Sequence, residues 1–266
     1  MTAKQAVLEN IARKELNEIA PRRFAVVRPL KVLLTGLPKE GKSFDMPNHP
    51  TDESKGKRPL KLTSTIYIEK DDFRPDLADD PKFFGLAVGR EAGLLGAGVN
   101  ITVTAAHTNP SGEITHISAS VDMTRERKPK GHLHWVSADT AVAAECRVYD
   151  ILFTPEDPEG AAKEAAASGA APEEEEEEDD DEGGGDGTAA LPGWLKLLNP
   201  KSLVVEHALV EPALAKACGK PVSGADRPAF QFQRVGFFCV DDDSSAKKPV
   251  FNRVVSLKED KERKAM

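Results

Sequence analysis

The stretch 99-VNITVTAAHTNPSGEITHISASVDM-123 carries the clearest β-hairpin pattern in the chain. Valine, isoleucine and threonine are frequent in both halves, and these residue types favour strands. Asn109-Pro110-Ser111-Gly112 separates the halves, because proline presets a backbone angle and glycine permits a positive one. The stretch therefore predicts two strands joined by a turn, and a β fold around them.

Further short runs of the same kind lie on both sides of this hairpin. Turn signals separate them, and many short strands separated by turns favour β-barrels or a sandwich. The runs are RFAVVRPLKVLLT (23–35), LKLTSTIYIEKDD (60–72), GHLHWVS (131–137), ECRVYDILF (145–153), SLVVEH (202–207), FQFQRVGFFCV (230–240) and VFNRVVSL (250–257). The sequence therefore predicts a mainly β protein.

The N-terminal segment follows a different period. Between residues 2 and 19, apolar side chains recur at helical spacing, which predicts an amphipathic helix that Pro21 ends. The apolar positions are Leu8, Ile11, Ala12, Leu16 and Ile19.

One segment interrupts the β pattern with Ala, Gly, Glu and Asp. From Pro155 to Pro192 there is almost no apolar bulk to offset chain entropy, which predicts disorder. A run of ten acids, residues 173–182, dominates the net charge of −8, and the rest of the chain carries +2. The net charge therefore does not argue against a nucleic acid partner. A solvated spacer is the simplest interpretation of the segment, and docking of a basic partner is the alternative.

Other features bound the class of protein. No run of eighteen apolar residues exists, and the N-terminus lacks the apolar core of a signal peptide. The cysteines, Cys146, Cys218 and Cys239, are far apart and odd in number, which predicts reduced thiols in a cytosolic protein. His132 and His134 lie two apart on a predicted strand and could bind a metal together, although structural histidines are the commoner explanation.

Residues 36–43 match the phosphate-binding pattern G-x-x-x-x-G-K-S. Such a P-loop works only when the lysine and serine open a helix, whose free N–H groups hold the phosphates. Pro47 and Pro50 would break that helix in its second turn, and the flanking pattern is β. We therefore expect a hairpin tip here. An NTPase is the rival hypothesis, and it requires nucleotide binding by Lys42.

Nine blocks of sequence together resemble one known family. They are APRRFAVVRPLKVLLTG, MPNHP, TIYIEKDDF, KGHLHWVSA, VYDILFT, LNPKSLVV, VEPAL, FQFQRVGFFCVD and KPVFNRVVSLKED, in this order. From Lys14 to Asp260 the chain resembles the C-terminal anticodon-binding region of the glutaminyl-tRNA synthetases, a class I family. Glutamyl-tRNA synthetases of the eukaryotic type share the barrels, but MPNHP, HWVSA and VFNRVVSL look like the glutamine enzymes.

The resemblance implies two β-barrels of the ribosomal-protein-like anticodon-binding type, preceded by a short connector helix and interrupted by the disordered acidic insert. Residues 1–21 would end the helical connector, and residues 22–126 would form the first barrel. Residues 127–154 and 194–260 would form the second barrel, with strands exchanged between the barrels, and residues 155–193 would be the insert.

The resemblance also implies that the chain is incomplete as an enzyme, because H-I-G-H and K-M-S-K-S type signatures are absent. ATP and Mg²⁺ would belong to a catalytic domain in cis, and this chain would hold no cofactor. The expected partner is tRNA(Gln), with no membrane or DNA, and the expected state is a cytoplasmic monomer. A free-standing, non-catalytic RNA-binding or assembly protein derived from such an enzyme is the alternative.

The resemblance implies that Arg22, Gln231 and Arg234 read the central anticodon uridine. Guanidinium and amide groups suit a uracil edge, which offers acceptors and a donor. Because Arg22 and Gln231 lie near opposite ends of the chain, a shared pocket requires those ends to converge. Surface ion pairing is the alternative role for both arginines.

For the outer anticodon bases, this chain departs from the family pattern. Where the family pattern has base-reading side chains, this chain has Thr51, Gly85, Gly93 and Leu95. Lys82 and Arg90 are the candidate substitutes, and a changed mode of reading is the alternative. The basic runs ESKGKRPLK (53–61) and RERKPKGH (125–132) are candidates for backbone contacts, which raise affinity without carrying specificity.

Overall fold

The computed structural model describes residues 3–77, 82–124, 126–168, 192–219 and 227–258, and these are mainly β, as predicted. The chain separates into two compact units. The larger comprises Met1–Val148 and Val205–Met266, and the smaller comprises Tyr149–Val204.

The helices are α1 (Ala3–Ile19), α2 (Pro158–Ala167) and α3 (Pro212–Ala217), with short 3-10 turns at Glu53–Lys55, Lys70–Asp72 and Gly193–Leu197. The strands are β1 (Arg22–Arg23), β2 (Ala25–Val26), β3 (Pro29–Thr35), β4 (Lys42–Pro47), β5 (Lys57–Leu62), β6 (Thr65–Glu69), β7 (Glu91–Leu94), β8 (Val99–Thr108), β9 (Ile114–Asp122), β10 (His132–Leu133), β11 (Val136–Ser137), β12 (Val142–Tyr149), β13 (Leu203–Val210), β14 (Ala229–Phe232), β15 (Gly236–Val240) and β16 (Val250–Ser256). Every predicted strand run overlaps at least one of these strands.

The predicted hairpin lies at the centre of the first sheet. Within the described residues the strand order is β10-β7-β8-β9-β3-β6-β11. β8 and β9 pair antiparallel, with Ile101 opposite Val121, and the N–H of Gly112 closes the turn on the Asn109 carbonyl at 2.9 Å. Alternate side chains of the hairpin, including Ile101 and Ile117, are fully buried in the core that this sheet encloses. The hairpin prediction is confirmed.

The second sheet contains strands from both ends of the chain. Its order in the described residues is β1-β14-β15-β16-β12-β13-β2, and β1 pairs parallel with β14. Four buried phenylalanines lie in its core, Phe230, Phe232, Phe238 and Phe251. The ring of Phe232 stacks on that of Phe238 at 4.2 Å and meets Phe251 edge-on at 5.2 Å. Burying each such ring contributes about 1.5–3 kcal/mol, so these strands have a strong hydrophobic reason to associate.

Strands cross between the two sheets relative to the order of the chain. β1 and β2 precede the first sheet in sequence but lie in the second sheet. β10 and β11 follow the first predicted barrel in sequence but lie in the first sheet. The expected exchange of strands describes this arrangement, although residues 127–137 were assigned to the second barrel. The exact domain limits stay a prediction.

Helix α1 forms where the sequence predicts it, and it packs against the second sheet. Leu16 contacts the small cluster formed by Ala20, Phe237 and Val255. The apolar stripe that identified the helix is only partly buried, because Leu8 is 66% exposed and other members of the stripe are exposed as well. The helix is therefore held by its C-terminal half.

The P-loop lookalike is a turn between strands. Lys42 and Ser43 begin β4 instead of opening a helix, so they do not supply the helix N–H groups that a P-loop uses. The turn closes through a hydrogen bond from the Gly41 N–H to the Pro38 carbonyl at 2.9 Å. β4 pairs with β5 in a separate small sheet, so the prediction of a hairpin tip is wrong in detail. Strand β4 was missed because its polar residues and proline resemble a loop.

The smaller unit contains α2 and a 3-10 turn. The Asp157 carboxylate caps α2 by accepting a hydrogen bond from the Gly160 N–H at 3.0 Å, and Pro158 occupies the first turn. Residues 158–167 are therefore helical, where the sequence predicted disorder, because an alanine-rich segment with a good N-cap favours a helix. The acidic run 173–182 lies outside the described residues.

Some functional classes can be addressed from the described ranges alone. No helix there is long and apolar enough to cross a membrane. No group of three or more His, Cys, Asp or Glu side chains there is arranged to hold a metal ion. The three cysteines are unpaired, and burial raises the pKa of the Cys146 thiol.

Candidate functional site

The two ends of the chain meet at the predicted site. Arg22 of β1 lies directly opposite Gln231 of β14 in the parallel pairing. The Gln231 N–H donates to the Pro21 carbonyl at 3.0 Å, and the Gln233 N–H donates to the Arg23 carbonyl at 2.9 Å. The backbone therefore brings Arg22 and Gln231 together, and Arg234 follows three residues later.

Arg22 is bound to the end of helix α1. Its side chain donates from Nη1 to the carbonyls of Asn17 and Ala20, both at 2.8 Å, and from Nη2 to the Asn17 Oδ1 at 2.8 Å. Only 6% of the residue is exposed, and burial lowers the pKa of Arg22 although Glu18 opposes this. A cation at a helix C-terminus is favourable, because the last carbonyls are unpaired and carry partial negative charge.

Gln231 presents an unpaired acceptor. Its Oε1 is buried and has no hydrogen-bond partner among the described residues. Leaving such a group unpaired costs about 1–3 kcal/mol, so native structures keep few of them, and each calls for an explanation. A ligand that donates a hydrogen bond would satisfy this oxygen.

Arg234 occupies the turn between β14 and β15 in a strained conformation. Its φ is 66°, and among the described residues other than glycine it is the one with a positive φ. Such a backbone costs a residue with a side chain about 1–2 kcal/mol. The turn is closed by the Val235 N–H, which donates to the Phe232 carbonyl at 3.0 Å. An arginine where glycine would be unstrained suggests a functional constraint.

The Arg234 guanidinium forms a two-pronged ion pair with Asp72. Nη1 donates to Oδ2 and Nη2 to Oδ1, each at 2.6 Å. Asp72 is buried, and the arginine side chain is 38% exposed. Burial opposes the charge of Arg234, but the hydrogen bonds and charge of Asp72 raise its pKa overall. The ion-pair alternative is thus observed for Arg234.

Two further residues support this ion pair from behind. The ring of His134 is 1% exposed, with Nδ1 3.4 Å from the Arg234 Nη1 and Nε2 3.2 Å from the Glu69 Oε1. Glu69 also accepts hydrogen bonds from the N–H groups of Val27 and Arg28, at 2.8 and 3.1 Å. His134 has a structural role here, whereas His132 is exposed. The sequence offered His134 as a possible metal ligand with His132, with a structural role as the commoner explanation, whereas Glu69 entered only as part of the TIYIEKDDF block.

The MPNHP block joins helix α1 to strand β1. The Asn48 carbonyl accepts from the Arg22 N–H at 2.6 Å, and its Oδ1 accepts from the Arg23 Nη1 at 2.7 Å. The His49 ring is 3.3 Å from the Asn17 carbonyl, the same group that Arg22 binds. The block therefore positions the predicted site through its backbone and its two polar side chains.

A buried charge cluster lies beside that block. The Glu211 Oε1 forms ion pairs with the Arg58 Nε at 2.5 Å and with the Arg23 Nε at 3.5 Å, and its Oε2 accepts a hydrogen bond from the Phe24 N–H at 3.0 Å. Burial lowers the pKa of Arg23 to about 10, against the charge of Glu211. Arg58 belongs to a basic run that the sequence suggested for phosphate contact, but it is buried and committed to Glu211.

The local structure explains why Gly85, Gly93 and Leu95 occupy the positions where the family pattern has base-reading side chains. A Cβ on Gly85 would lie 2.4 Å from the Asp72 carbonyl oxygen, and one on Gly93 would lie 2.7 Å from the His132 ring. The backbone of Asp72 therefore leaves no room for a side chain at position 85, whereas at position 93 the side chains of His132 and Pro129 would have to move. Leu95 uses its carbonyl to accept from the Trp135 indole at 3.1 Å. Among the described residues, no strand pairing or backbone hydrogen bond links these positions directly to Arg22 or Gln231.

Lys82 and Arg90, the candidate substitutes, have different surroundings. Lys82 is exposed and Arg90 is half-buried. In the described part of the chain, no hydrogen bond or ion pair joins either side chain to Arg22, Gln231 or Arg234. Thr51 is exposed beside His49, with its N–H 3.4 Å from the ring. A role for Lys82, Arg90 and Thr51 in reading the outer bases therefore stays a prediction.

Comparison with known proteins identifies the class first. Residues 20–122 match the family model described as "tRNA synthetases class I (E and Q), anti-codon binding domain", and residues 132–241 match a second model with the same description. Together the two matches cover most of the chain. The chain therefore belongs to the anticodon-binding domain family of the class I tRNA synthetases for Glu and Gln, and the resemblance seen in the sequence is confirmed.

Individual relatives point to the glutamine branch. The chain is 36% identical to the glutamine–tRNA ligase of Pseudoalteromonas atlantica over 264 residues, which is 96% of this chain and 41% of that protein. It is 36% identical to that of Shigella boydii over 266 residues and 37% identical to that of Xylella fastidiosa over 264 residues. The chain spans about two fifths of the length of these curated relatives.

Proposed function

We propose that the chain is the anticodon-binding part of a glutaminyl-tRNA synthetase, and that it binds tRNA(Gln) for glutaminylation by a catalytic domain in cis. Family membership and the names of the relatives support the choice of tRNA and of glutamine. The single structural observation that supports base reading is the buried, unpaired Oε1 of Gln231 beside Arg22. We place the protein in the cytoplasm as a monomer.

The central anticodon uridine is the base that suits this site. Sequence-specific RNA recognition uses the edges of unstacked loop bases. The N3–H of uracil would donate to Gln231 Oε1, and the flanking carbonyl oxygens would accept from guanidinium N–H groups. Cytosine has an acceptor at N3, so it would face Gln231 Oε1 with a second lone pair. The difference between a matched and a mismatched base is about 1–3 kcal/mol by analogy with DNA readout.

Both arginines retain donors for such contacts. A guanidinium has five N–H donors. Arg22 gives three of them to Asn17 and Ala20. Arg234 gives two to Asp72 and directs a third towards His134. In each case the described contacts leave the edge formed by Nε and the second Nη2 hydrogen for RNA.

ATP and Mg²⁺ would be bound by the catalytic domain. The only nucleotide-like motif found in this sequence does not fit a phosphate, because Lys42 and Ser43 lie in β4 and not at a helix N-terminus. This chain would contribute recognition, and Lys82 and Arg90 remain the proposed contacts to the outer bases or their phosphates.

The test is selective binding. We would measure the affinity of the chain for a tRNA(Gln) transcript and for one with cytidine at the central anticodon position, at one fixed salt concentration, because phosphate contacts are salt-dependent. The expected preference for uridine is about tenfold or more. It should be lost in Gln231→Leu and Arg234→Ala and kept in the matched control Gln233→Leu. Equal affinities for the two transcripts would contradict base reading by these barrels.

A further inference from the structure

Arg234 is fixed by a partner distant in sequence. Asp72 ends the 3-10 turn that follows β6 of the first sheet, whereas Arg234 lies in the turn between two strands of the second sheet. Both carboxylate oxygens of Asp72 accept from the two Nη atoms at 2.6 Å. This fork-to-fork geometry sets the plane of the guanidinium as well as its position.

The backbone of Asp72 is itself held in place by neighbouring residues. Its carbonyl accepts from the Leu86 N–H at 2.8 Å, and only 7% of the residue is exposed. Gly85 approaches the same carbonyl so closely that a Cβ there would lie 2.4 Å from it. The carboxylate therefore projects from a backbone that has little room to move.

His134 restrains the guanidinium from a second direction. A neutral ring that donates from Nε2 to Glu69 has its Nδ1 free to accept from Arg234 Nη1, and the two distances are 3.2 and 3.4 Å. Glu69 is held in turn by the N–H groups of Val27 and Arg28. The chain of contacts from Glu69 to Arg234 runs through side chains that are mostly buried.

One edge of the Arg234 guanidinium stays unassigned after these contacts. The Nη1 and Nη2 prongs are committed to Asp72, and among the described residues no partner is found for Nε. The side chain is 38% exposed, and it stands on a backbone with a positive φ of 66°. A restrained arginine with one free donor edge is suited to a flat acceptor group such as a base carbonyl.

We propose that Asp72 is a positioning residue for base recognition: it holds the Arg234 guanidinium so that the remaining Nε–Nη2 edge faces the central anticodon base. This inference rests on the proposed function, in which Arg234 contacts that base. The opposite role is competition, in which Asp72 must release Arg234 before RNA can bind. The two roles predict opposite signs when the carboxylate is removed.

The experiment compares Asp72→Asn with Asp71→Asn. Asp71 is the residue before Asp72, is exposed and pairs with Arg28 at the surface, so its change removes the same charge away from Arg234. Binding of the uridine and cytidine tRNA(Gln) transcripts is titrated at fixed salt. We expect Asp72→Asn to reduce the preference for uridine about tenfold, as for the loss of one good base contact. Asp71→Asn should leave the preference unchanged.

A second variant covers the case in which Asp72→Asn does not fold. Asp72→Glu keeps the ion pair but lengthens the arm by one methylene, so the guanidinium moves while the charge stays. Positioning predicts that Asp72→Glu also loses preference for uridine, with thermal unfolding close to that of the parent chain. A purely structural charge role predicts full preference in Asp72→Glu, and that result would overturn the proposal.

Arg234→Ala separates the two levels of the hypothesis. If Arg234→Ala keeps the preference for uridine, base reading by Arg234 fails and the role of Asp72 fails with it. If Arg234→Ala loses the preference but both Asp72 variants keep it, only the positioning role is wrong. Tighter binding of the uridine transcript by Asp72→Asn would overturn positioning in favour of competition.

Discussion

The two arginines of the proposed site are held in opposite ways. Arg22 is 6% exposed and donates to neutral oxygens at the end of a helix. The Arg234 side chain is 38% exposed and donates to a carboxylate. Burial lowers the pKa of Arg22, whereas Asp72, acting against burial, raises that of Arg234. Arg22 therefore mainly stabilises the packing of helix α1, whereas the more exposed Arg234 side chain is more accessible to a ligand.

The largest expected effect is on stability, from Arg22→Ala. The change removes three hydrogen bonds and leaves carbonyls at the end of α1 without their donor. We expect the free energy of unfolding to fall by about 2–4 kcal/mol, from lost bonds and lost packing. Urea unfolding measures this, with Arg90→Ala as the control, because Arg90 is half-buried but not bound to a helix end. A loss below about 1 kcal/mol would remove the contrast with Arg234.

Arg234→Ala should have a smaller effect on stability. It leaves the buried Asp72 carboxylate without its partner, which costs about 1–3 kcal/mol, and the exposed part of the arginine adds little. In Asp72→Asn/Arg234→Ala the combined loss should be less than the sum of the single losses, since the residues act as a pair. Additive losses, measured by the same urea unfolding, would show that the pair is not energetically coupled.

Acid should reveal the support behind Arg234. Burial opposes ionisation of Glu69, but hydrogen bonding and charge from His134, with the N–H groups of Val27 and Arg28, lower its pKa overall. A lowered carboxyl pKa contributes stability that is present above the ordinary value of 4.5 and is lost as the pH falls through the folded value. The unfolding free energy should therefore drop more between pH 6 and pH 3, roughly, in the parent chain than in Glu69→Gln.

Glu40→Gln provides the matched control for that measurement. Glu40 is exposed in the turn before β4, and the described contacts give it no partner. It should show the same pH dependence as the parent chain. An identical acid response in Glu69→Gln and in the parent would mean that the network behind Arg234 does not depend on the ionised carboxylate.

The smallest expected effect tests the backbone of Arg234 directly. A protein with glycine at a given position is normally less stable than one with alanine there, because glycine loses more conformational entropy on folding. At a φ of 66° the order should reverse, with Arg234→Gly more stable than Arg234→Ala by about 1 kcal/mol. At the neighbouring Gln233 the ordinary order should hold. Thermal unfolding of the four variants measures this difference, and the ordinary order at position 234 would contradict the strained turn.

Local patterns predicted the elements whose signals lie within one short stretch of sequence. The hairpin at 99–123 could be predicted because alternation and turn residues lie within one short stretch. Strand β4 was missed because it is short, half-exposed and ends in proline. The helix at residues 158–167 was missed because its alanines resemble low-complexity sequence, although Asp157 is a good N-cap. These outcomes follow from how much signal lies inside each segment.

The site was predicted by residue type and not by contact. The family resemblance supplied Arg22, Gln231 and Arg234, and pairing of β1 with β14 brings the first two together. No local pattern could supply Asp72 as the partner of Arg234, because 162 positions separate them in the sequence. Glycine at 85 could be read as a departure from the family, but its reason, close approach to the Asp72 carbonyl, depends on the fold.

By itself the sequence determined that the protein is mainly β, which family it belongs to and which side chains are candidates for reading a base. These properties depend on composition, on short periodic patterns and on ordered blocks, all of which a linear chain displays. Only the tertiary structure decided what each candidate binds in the protein: the end of α1 for Arg22, and Asp72 for Arg234. The physical reason is that hydrogen bonds and ion pairs act over a few ångströms, and the register of strands distant in sequence sets those distances.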